Sequence, residues 1–137
     1  MLLQASCAAI GGRGVLIQGP PGCGKSSLLL ALLDRGAVLV GDDGVDLICR
    51  AGRLYASPAP ATRGLLEIRN LGLLTYPVLD EVPLALTIAL SPAAPRFIDS
   101  AATLDLLGIT LPHLQVWPES PVLALKVEAA LVRYGTQ

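Results

Sequence analysis

Gly19-Pro20-Pro21-Gly22-Cys23-Gly24-Lys25-Ser26 fits the pattern G-x-x-x-x-G-K-[ST] without a substitution. In such a loop the glycines reach backbone angles closed to other residues, so consecutive N–H groups turn inward and form a nest for phosphate oxygens. Lys25 sets a positive charge against the outer phosphates, and Ser26 can offer its hydroxyl to a magnesium ion. The flanks agree. Val15-Leu16-Ile17-Gln18 predicts a short buried strand entering the loop. Lys25 to Arg35 (KSSLLLALLDR), rich in leucine and free of glycine and proline, predicts a helix leaving it. Phosphate would then lie at a helix N-terminus, where free N–H groups and the dipole favour negative charge. The chain is expected to bind a nucleoside triphosphate through Gly19, Pro20, Pro21, Gly22, Cys23, Gly24, Lys25 and Ser26.

Gly36 is placed to stop that helix, and Ala37-Val38-Leu39-Val40-Gly41 predicts a strand ending at Asp42-Asp43. A strand, helix, strand unit crosses over right-handedly, so both strands are expected to run parallel, with their carboxyl ends on the edge that carries the loop. That brings Asp42 and Asp43 beside the phosphates. Successive side chains at a strand end point to opposite faces, so one of the two would face the terminal phosphate while the other orients metal, water or backbone. The competing reading is a solvated turn, since Asp42-Asp43-Gly44 also spells turn chemistry.

With 137 residues, 53% hydrophobic and 15% charged, the chain has the apolar material for one core, and a single domain over 1–137 is expected. A net charge of −1 and a pI near 5.7 leave no basic footprint for nucleic acid and disfavour acidic membranes. Mean hydropathy is high at +0.61. Even so, apolar stretches such as Val82 to Leu90 (VPLALTIAL) fall far short of the ~20 residues a spanning helix needs. The excess suits a sheet covered on both faces or a subunit interface. Met1 to Ile10 is apolar but lacks a basic leading segment and runs too soon into the loop for a cleaved signal peptide, so a cytoplasmic location is expected. Cys7, Cys23 and Cys49 are odd in number and lack C-x-x-C spacing, which argues against a disulfide framework or a zinc site.

Past the acidic pair the pattern turns to hairpins. Asp46 to Arg50 and Leu54 to Ser57, joined by Ala51-Gly52-Arg53, predict one, and Ser57 to Ala61 reads as loop. Leu65 to Leu74 is apolar except for Glu67, Arg69 and Asn70, and a carboxylate in such a segment needs a partner or a metal. Arg63 or Arg69 is one candidate partner for Glu67, a metal the other. Leu104 to Leu111 is short and apolar. Val122 to Arg133 predicts a final helix with Ser120 as N-cap, Pro121 at its first position and Gly135 as its stop. His113 reads as a loop histidine, and Tyr76 and Trp117 as packing residues.

Together, the loop from Gly19 to Ser26, the helix end Asp34-Arg35-Gly36, the strand Ala37 to Asp43 and the run Arg63-Gly64-Leu65-Leu66-Glu67-Ile68-Arg69-Asn70-Leu71-Gly72 resemble the C-terminal catalytic domain of HPr kinase/phosphorylase. The likeness covers most of the chain and is clearest from Gly11 to Pro77; without the N-terminal domain most members carry, the short alphaproteobacterial form is expected. The resemblance implies an α/β fold on a P-loop nucleotide-binding core of the HPr kinase/PEP carboxykinase-like type, with β-hairpins and a C-terminal helix. It further implies a serine kinase that uses ATP and Mg2+ to phosphorylate HPr of the phosphotransferase system, reverses the reaction by phosphorolysis, and assembles as a hexamer. Residue by residue, Lys25 matches the phosphate-loop lysine, Ser26 the magnesium-binding serine, Asp43 the catalytic base and Glu67 the signature glutamate that helps hold magnesium. Asp42 would orient the base or the metal.

Two positions depart from the family pattern. Gln4 stands where a histidine is usual, and glutamine cannot shuttle a proton near neutral pH, which bears on phosphorolysis. Asn70 stands where the signature commonly has glycine. Arg96 is the available candidate for a catalytic arginine expected in a later loop, and Leu123, Leu125, Val127, Leu131 and Val132 of the last helix would either contact HPr or pack the core. The competing functions are an ATPase or small-molecule kinase, in which Asp43 serves water or another hydroxyl, and a regulatory ATP-binding module that transfers nothing.

Overall fold

The computed structural model describes the whole chain, Met1–Gln137. Its first half contains β1 (Leu2–Leu3), β2 (Ser6–Ile10), β3 (Arg13–Gln18), α1 (Lys25–Asp34), β4 (Val38–Gly41), β5 (Val45–Arg50), β6 (Arg53–Pro58), β7 (Leu65–Ile68) and β8 (Gly72–Thr75). The second half adds β9 (Val82–Leu90), β10 (Ala102–Leu106), β11 (Ile109–Val116) and α2 (Leu123–Tyr134). Nine strands form one sheet along the path β1-β5-β6-β9-β3-β2-β4, with the β10–β11 hairpin joined to β9 through β11; β7 and β8 form a separate two-stranded sheet.

The expected strand, helix, strand unit is present as β3-α1-β4, with one difference in neighbours. β2 is antiparallel to both β3 and β4, so those two run parallel but are separated by β2. Their carboxyl ends share an edge as expected. The strand partner that β3 does take in parallel is β9, the run Val82 to Leu90, which also pairs in parallel with β11 at its far end.

Both faces of this sheet are covered, which accounts for the high hydropathy. On one face Leu28, Leu29 and Leu32 of α1 and Leu123, Val127 and Leu131 of α2 pack on Val15, Ile17, Leu86 and Ile88. Fully burying one such side chain stabilises by roughly 1.5–3 kcal/mol. The opposite face gathers Cys7, Leu16 and Val40 with Leu47, Leu54 and Leu111, residues of the hairpins that fold over it. Burial pushes the Cys7 thiol up to about 12, so it stays protonated there as an inert apolar filler.

The β5–β6 hairpin turns on two residues, Ala51 and Gly52, both at positive φ (53° and 72°), so Arg53 belongs to the second strand, opposite Arg50, and not to the turn. The last helix starts at Leu123, with Val122 in the cap position; the Ser120 hydroxyl accepts the Val122 N–H instead of capping the helix. Gly135 does end it, at an ordinary φ of −63°. A side chain there would meet the Leu131 carbonyl oxygen at 2.5 Å, so glycine is required by close approach. Of the five larger aliphatic residues of this helix, Leu123, Val127 and Leu131 are core, together with Ala124, while Leu125 and Val132 are exposed.

His113 is a strand residue, not a loop residue: it sits on β11 opposite Thr87 of β9. The buried Thr87 hydroxyl lies 2.7 Å from His113 Nδ1 and 3.1 Å from the Pro112 carbonyl. A hydroxyl has one proton, so for both contacts to be hydrogen bonds Thr87 donates to Pro112 and Nδ1–H donates to Thr87. Burial holds the His113 imidazole below its ordinary pKa. The unfolded chain therefore takes up a proton that the folded chain resists; this stabilisation is complete above about pH 6.5 and is lost as pH falls through the folded-state value. His113→Gln is expected to flatten the fall of the urea midpoint between about pH 7 and 5. An unchanged slope would assign the acid sensitivity to other groups.

Candidate active site

Two of the three glycines in the loop between β3 and α1 take the left-handed backbone expected of them; Gly19 does not, and is needed instead because a side chain there would meet Cys23 Sγ at 2.6 Å. Gly22 and Gly24 take φ of 78° and 104°, and Gly24 is the N-cap of α1, whose first turn carries no side-chain cap. Its early N–H groups are thus left for a ligand, at the positive end of the helix. Lys25 Nζ donates to the Gly19 carbonyl at 2.5 Å and to the Pro20 carbonyl at 3.3 Å. These contacts fold the lysine over its own loop at the edge of the site.

A cavity of about 620 Å³ opens here. The loop and helix side contributes Pro21, Gly22, Gly24, Lys25, Ser26, Ser27 and Leu30, the strand-end side contributes Asp42 and Asp43, and the β7–β8 hairpin contributes Glu67 to Asn70. Gly19, Pro20 and Cys23, although part of the motif, are not among its walls; Cys23 packs on the core beneath.

Asp42 organises this cavity. Its carboxylate accepts the Ser26 hydroxyl at 3.0 and 3.1 Å, the Ser6 hydroxyl at 3.3 Å and the Glu67 backbone N–H at 3.3 Å. One side chain therefore ties the loop, β2 and the β7–β8 hairpin together. Asp43 has the opposite character: it is exposed, lines the cavity, and makes no side-chain hydrogen bond, while its backbone N–H donates to Ser6 Oγ at 3.1 Å. Its φ of 58° is left-handed, a region that aspartate and asparagine tolerate better than most residues.

Glu67 is exposed on β7 and projects no ion pair to either arginine considered for it. Arg63 instead forms a two-pronged pair with Asp80 at 2.7 and 2.8 Å, which holds the Asp80 carboxyl below its ordinary pKa. Arg69 is drawn to the loop between β3 and α1: its Nη2 lies 3.6 Å from where a side chain on Gly22 would begin. The guanidinium that lines the cavity is thus Arg69, whereas Arg96 is exposed in the loop after β9 and lies outside it. Asn70 occupies the hairpin turn at a φ of 75°. Glycine and asparagine are the residues that reach this region most readily, so asparagine at a usual glycine position keeps the turn. Gln4 sits exposed in the bend between β1 and β2 and is not a wall of the cavity.

No three His, Cys, Asp or Glu side chains converge as a closed metal cage. The donors on offer are the oxygens of Ser26, Asp42 and Glu67 around an open cavity. That fits magnesium, a hard cation that takes one or two protein oxygens and completes its shell with phosphate and water.

Comparison with known proteins gives consistent matches. A family model described as HPr Serine kinase C-terminal domain matches residues 2–82. The HPr kinase/phosphorylase of Clostridium tetani is 46% identical over 68 residues, 50% of this chain and 22% of that protein. That of Streptococcus thermophilus is 34% identical over 141 aligned residues, covering 90% of this chain and 44% of that protein. Among solved structures, the Hpr(Ser) kinase/phosphatase from Coxiella burnetii superimposes with a TM-score of 0.84 at 31% identity, covering 97% of this chain and 94% of that one. The chain therefore spans less than half the length of these curated relatives, but nearly all of that solved chain.

Proposed function

Because the chain belongs to the HPr Serine kinase C-terminal domain family, we propose that it transfers the γ-phosphoryl group of ATP to a serine hydroxyl of the phosphocarrier protein HPr. The observation that carries this reading is the meeting of Lys25, Ser26, Asp42, Asp43 and Glu67 in one open cavity, although they come from three separate stretches of chain. A binding module needs only the loop; a free carboxylate beside it, exposed and without a side-chain partner, suits an incoming hydroxyl, and the family match favours a serine over water as its source.

The loop N–H groups and the α1 N-terminus bind the donor phosphates, and Lys25 exchanges its carbonyl partners for phosphate oxygen. Ser26 and Glu67, with Asp42 behind them, would hold magnesium, whose charge offsets that of the phosphates. Arg69 adds a second cation on the hairpin side. Asp43 accepts the proton as the serine oxygen attacks phosphorus and the bond to the β-phosphate oxygen breaks. In phosphorolysis an oxygen of inorganic phosphate attacks the phosphorus of phosphoserine while the bond to the serine oxygen breaks, Asp43 passes the attacking phosphate's proton to that oxygen, and pyrophosphate leaves. In this reading the chain acts in the cytoplasm as a homo-oligomer, hexameric by family resemblance, and the exposed Leu125 and Val132, one above the other on α2, are apolar surface available for contacts.

The test is to incubate purified protein with Mg2+, ATP and HPr from the same organism and follow the intact mass of HPr. Gain of one phosphate on serine, absent with Lys25→Ala, is the expected result; adding inorganic phosphate to the phosphorylated product then tests the reverse reaction despite Gln4. ATP binding without transfer to HPr would replace the kinase by a nucleotide-binding module or by a different acceptor.

A further inference from the structure

Ser6 carries no recognisable signal in the sequence, yet it stands at the junction of both acidic residues. It begins β2 one residue before the Cys7 to Gly41 pairing, which sets it level with Asp42 just past the end of β4. Its side chain is fully buried, and Thr87 is the only other buried polar side chain of the protein. The Ser6 hydroxyl donates to Asp42 Oδ1 at 3.3 Å and accepts the Asp43 N–H at 3.1 Å. A carboxylate can only accept and an amide N–H can only donate, so the two bonds use the hydroxyl in its two complementary senses and leave no choice of direction.

Each bond restrains a different part of the site. Asp42 is turned by contacts from three sides, and without Ser6 its Oδ1 keeps only the Ser26 hydroxyl. Asp43 holds a left-handed backbone at φ 58°, and its amide is fixed in that turn by Ser6. We propose that Ser6 is a positioning residue for phosphoryl transfer: one buried oxygen fixes both the carboxylate that holds Ser26 and the peptide that aims Asp43 at the acceptor hydroxyl. The role of Asp43 in this inference rests on the kinase reading above. A shift of about 1 Å in such a group costs on the order of a hundredfold in rate, so the effect falls on turnover and not on donor binding.

Ser6→Ala, Ser6→Thr and Ser6→Cys are compared for kcat and KM with HPr, for ADP affinity with and without Mg2+ by calorimetry, and for thermal midpoint. Ser6→Ala is expected to lower kcat by about thirtyfold with KM for ATP within about threefold, and Ser6→Thr, which keeps the hydroxyl, to recover kcat to within about threefold of the parent. Should Ser6→Ala not fold at the assay temperature, Ser6→Cys, close in size and a weak hydrogen bonder, carries the same comparison. A folded Ser6→Ala or Ser6→Cys protein with parental kcat overturns the proposal, as does a Ser6→Thr protein as impaired as Ser6→Ala when both are folded. If the parent protein transfers nothing to HPr, the kinase reading fails by itself. Amide exchange then decides Ser6: the proposal requires that the Asp43 N–H exchange with solvent about tenfold faster in Ser6→Ala than in the parent, and equal exchange in the two overturns it.

Discussion

Asp43→Asn is expected to slow phosphoryl transfer to HPr by about a thousandfold while ADP affinity stays within about threefold of the parent. On the proposed mechanism the substitution removes the proton-accepting oxygen and little else. Asparagine matches aspartate in shape and tolerates the left-handed φ of 58° that this position demands, so the backbone between β4 and β5 has no reason to move. Asp43 accepts no side-chain hydrogen bond that an amide would break, and its one tie, the backbone N–H to Ser6, is unaffected by the change. The proposed mechanism assigns nucleotide affinity to the loop, Lys25 and Ser26, with none of which the Asp43 side chain forms a hydrogen bond. Single-turnover transfer and calorimetric ADP binding, measured on the same preparation, separate the two effects. Transfer within tenfold of the parent would move proton acceptance elsewhere; Glu67, the other exposed carboxylate of the cavity, would be the next residue to change. Asp43→Ala is the poorer probe, because alanine adds backbone strain to the chemical loss.

The parts of this molecule legible in the sequence are those whose signal is local. The loop between β3 and α1 declares itself by its glycine spacing, and α1 by a leucine-rich stretch bounded by Gly24 and Gly36. The β5–β6 hairpin shows through its Ala51-Gly52 turn, to within a residue at each end. β2 is hidden because Ser6 to Ile10 is short, mostly buried and without polar alternation, so nothing in it announces a strand, still less one that inserts between β3 and β4. β11 is masked by Pro112, which lies one residue before the ladder to β9 begins and so costs that ladder no donor. In the site, proximity to the loop pointed to Asp42 and Asp43, but their division of labour depends on Ser6 and on the Glu67 N–H, partners 36 and 25 residues distant from Asp42. Arg69 was legible only as a charge near Glu67; its approach to Gly22 comes from how the β7–β8 hairpin leans on α1, a tertiary contact with no counterpart in sequence spacing.

Gly41→Ala is expected to destabilise the protein by about 3 kcal/mol or more, lowering the thermal midpoint by roughly 10 °C, although alanine is ordinarily the gentlest replacement for glycine. The reason is how sharply the chain reverses between β4 and β5. A side chain on Gly41 would run into the Gly44 carbonyl and come within 2.7 Å of Val45 Cγ1, and the first of these is backbone that no rotamer change can move. Relief requires the Asp42-Asp43 segment to shift as a unit, because it lies between the colliding residues. Gly44→Ala provides the comparison within the same turn. There the added carbon meets only Ala59 Cβ at 3.5 Å and Thr62 Oγ1 at 3.6 Å, ordinary contact distances, so its change should stay within about 1 kcal/mol of the parent. Urea unfolding of both variants checks the contrast, and equal stabilities would show that the turn is softer than its geometry implies. The same displacement predicts that whatever fraction of Gly41→Ala folds will transfer phosphate poorly, because the carboxylate that holds Ser26 and the one proposed to meet the acceptor both hang from the segment that must move.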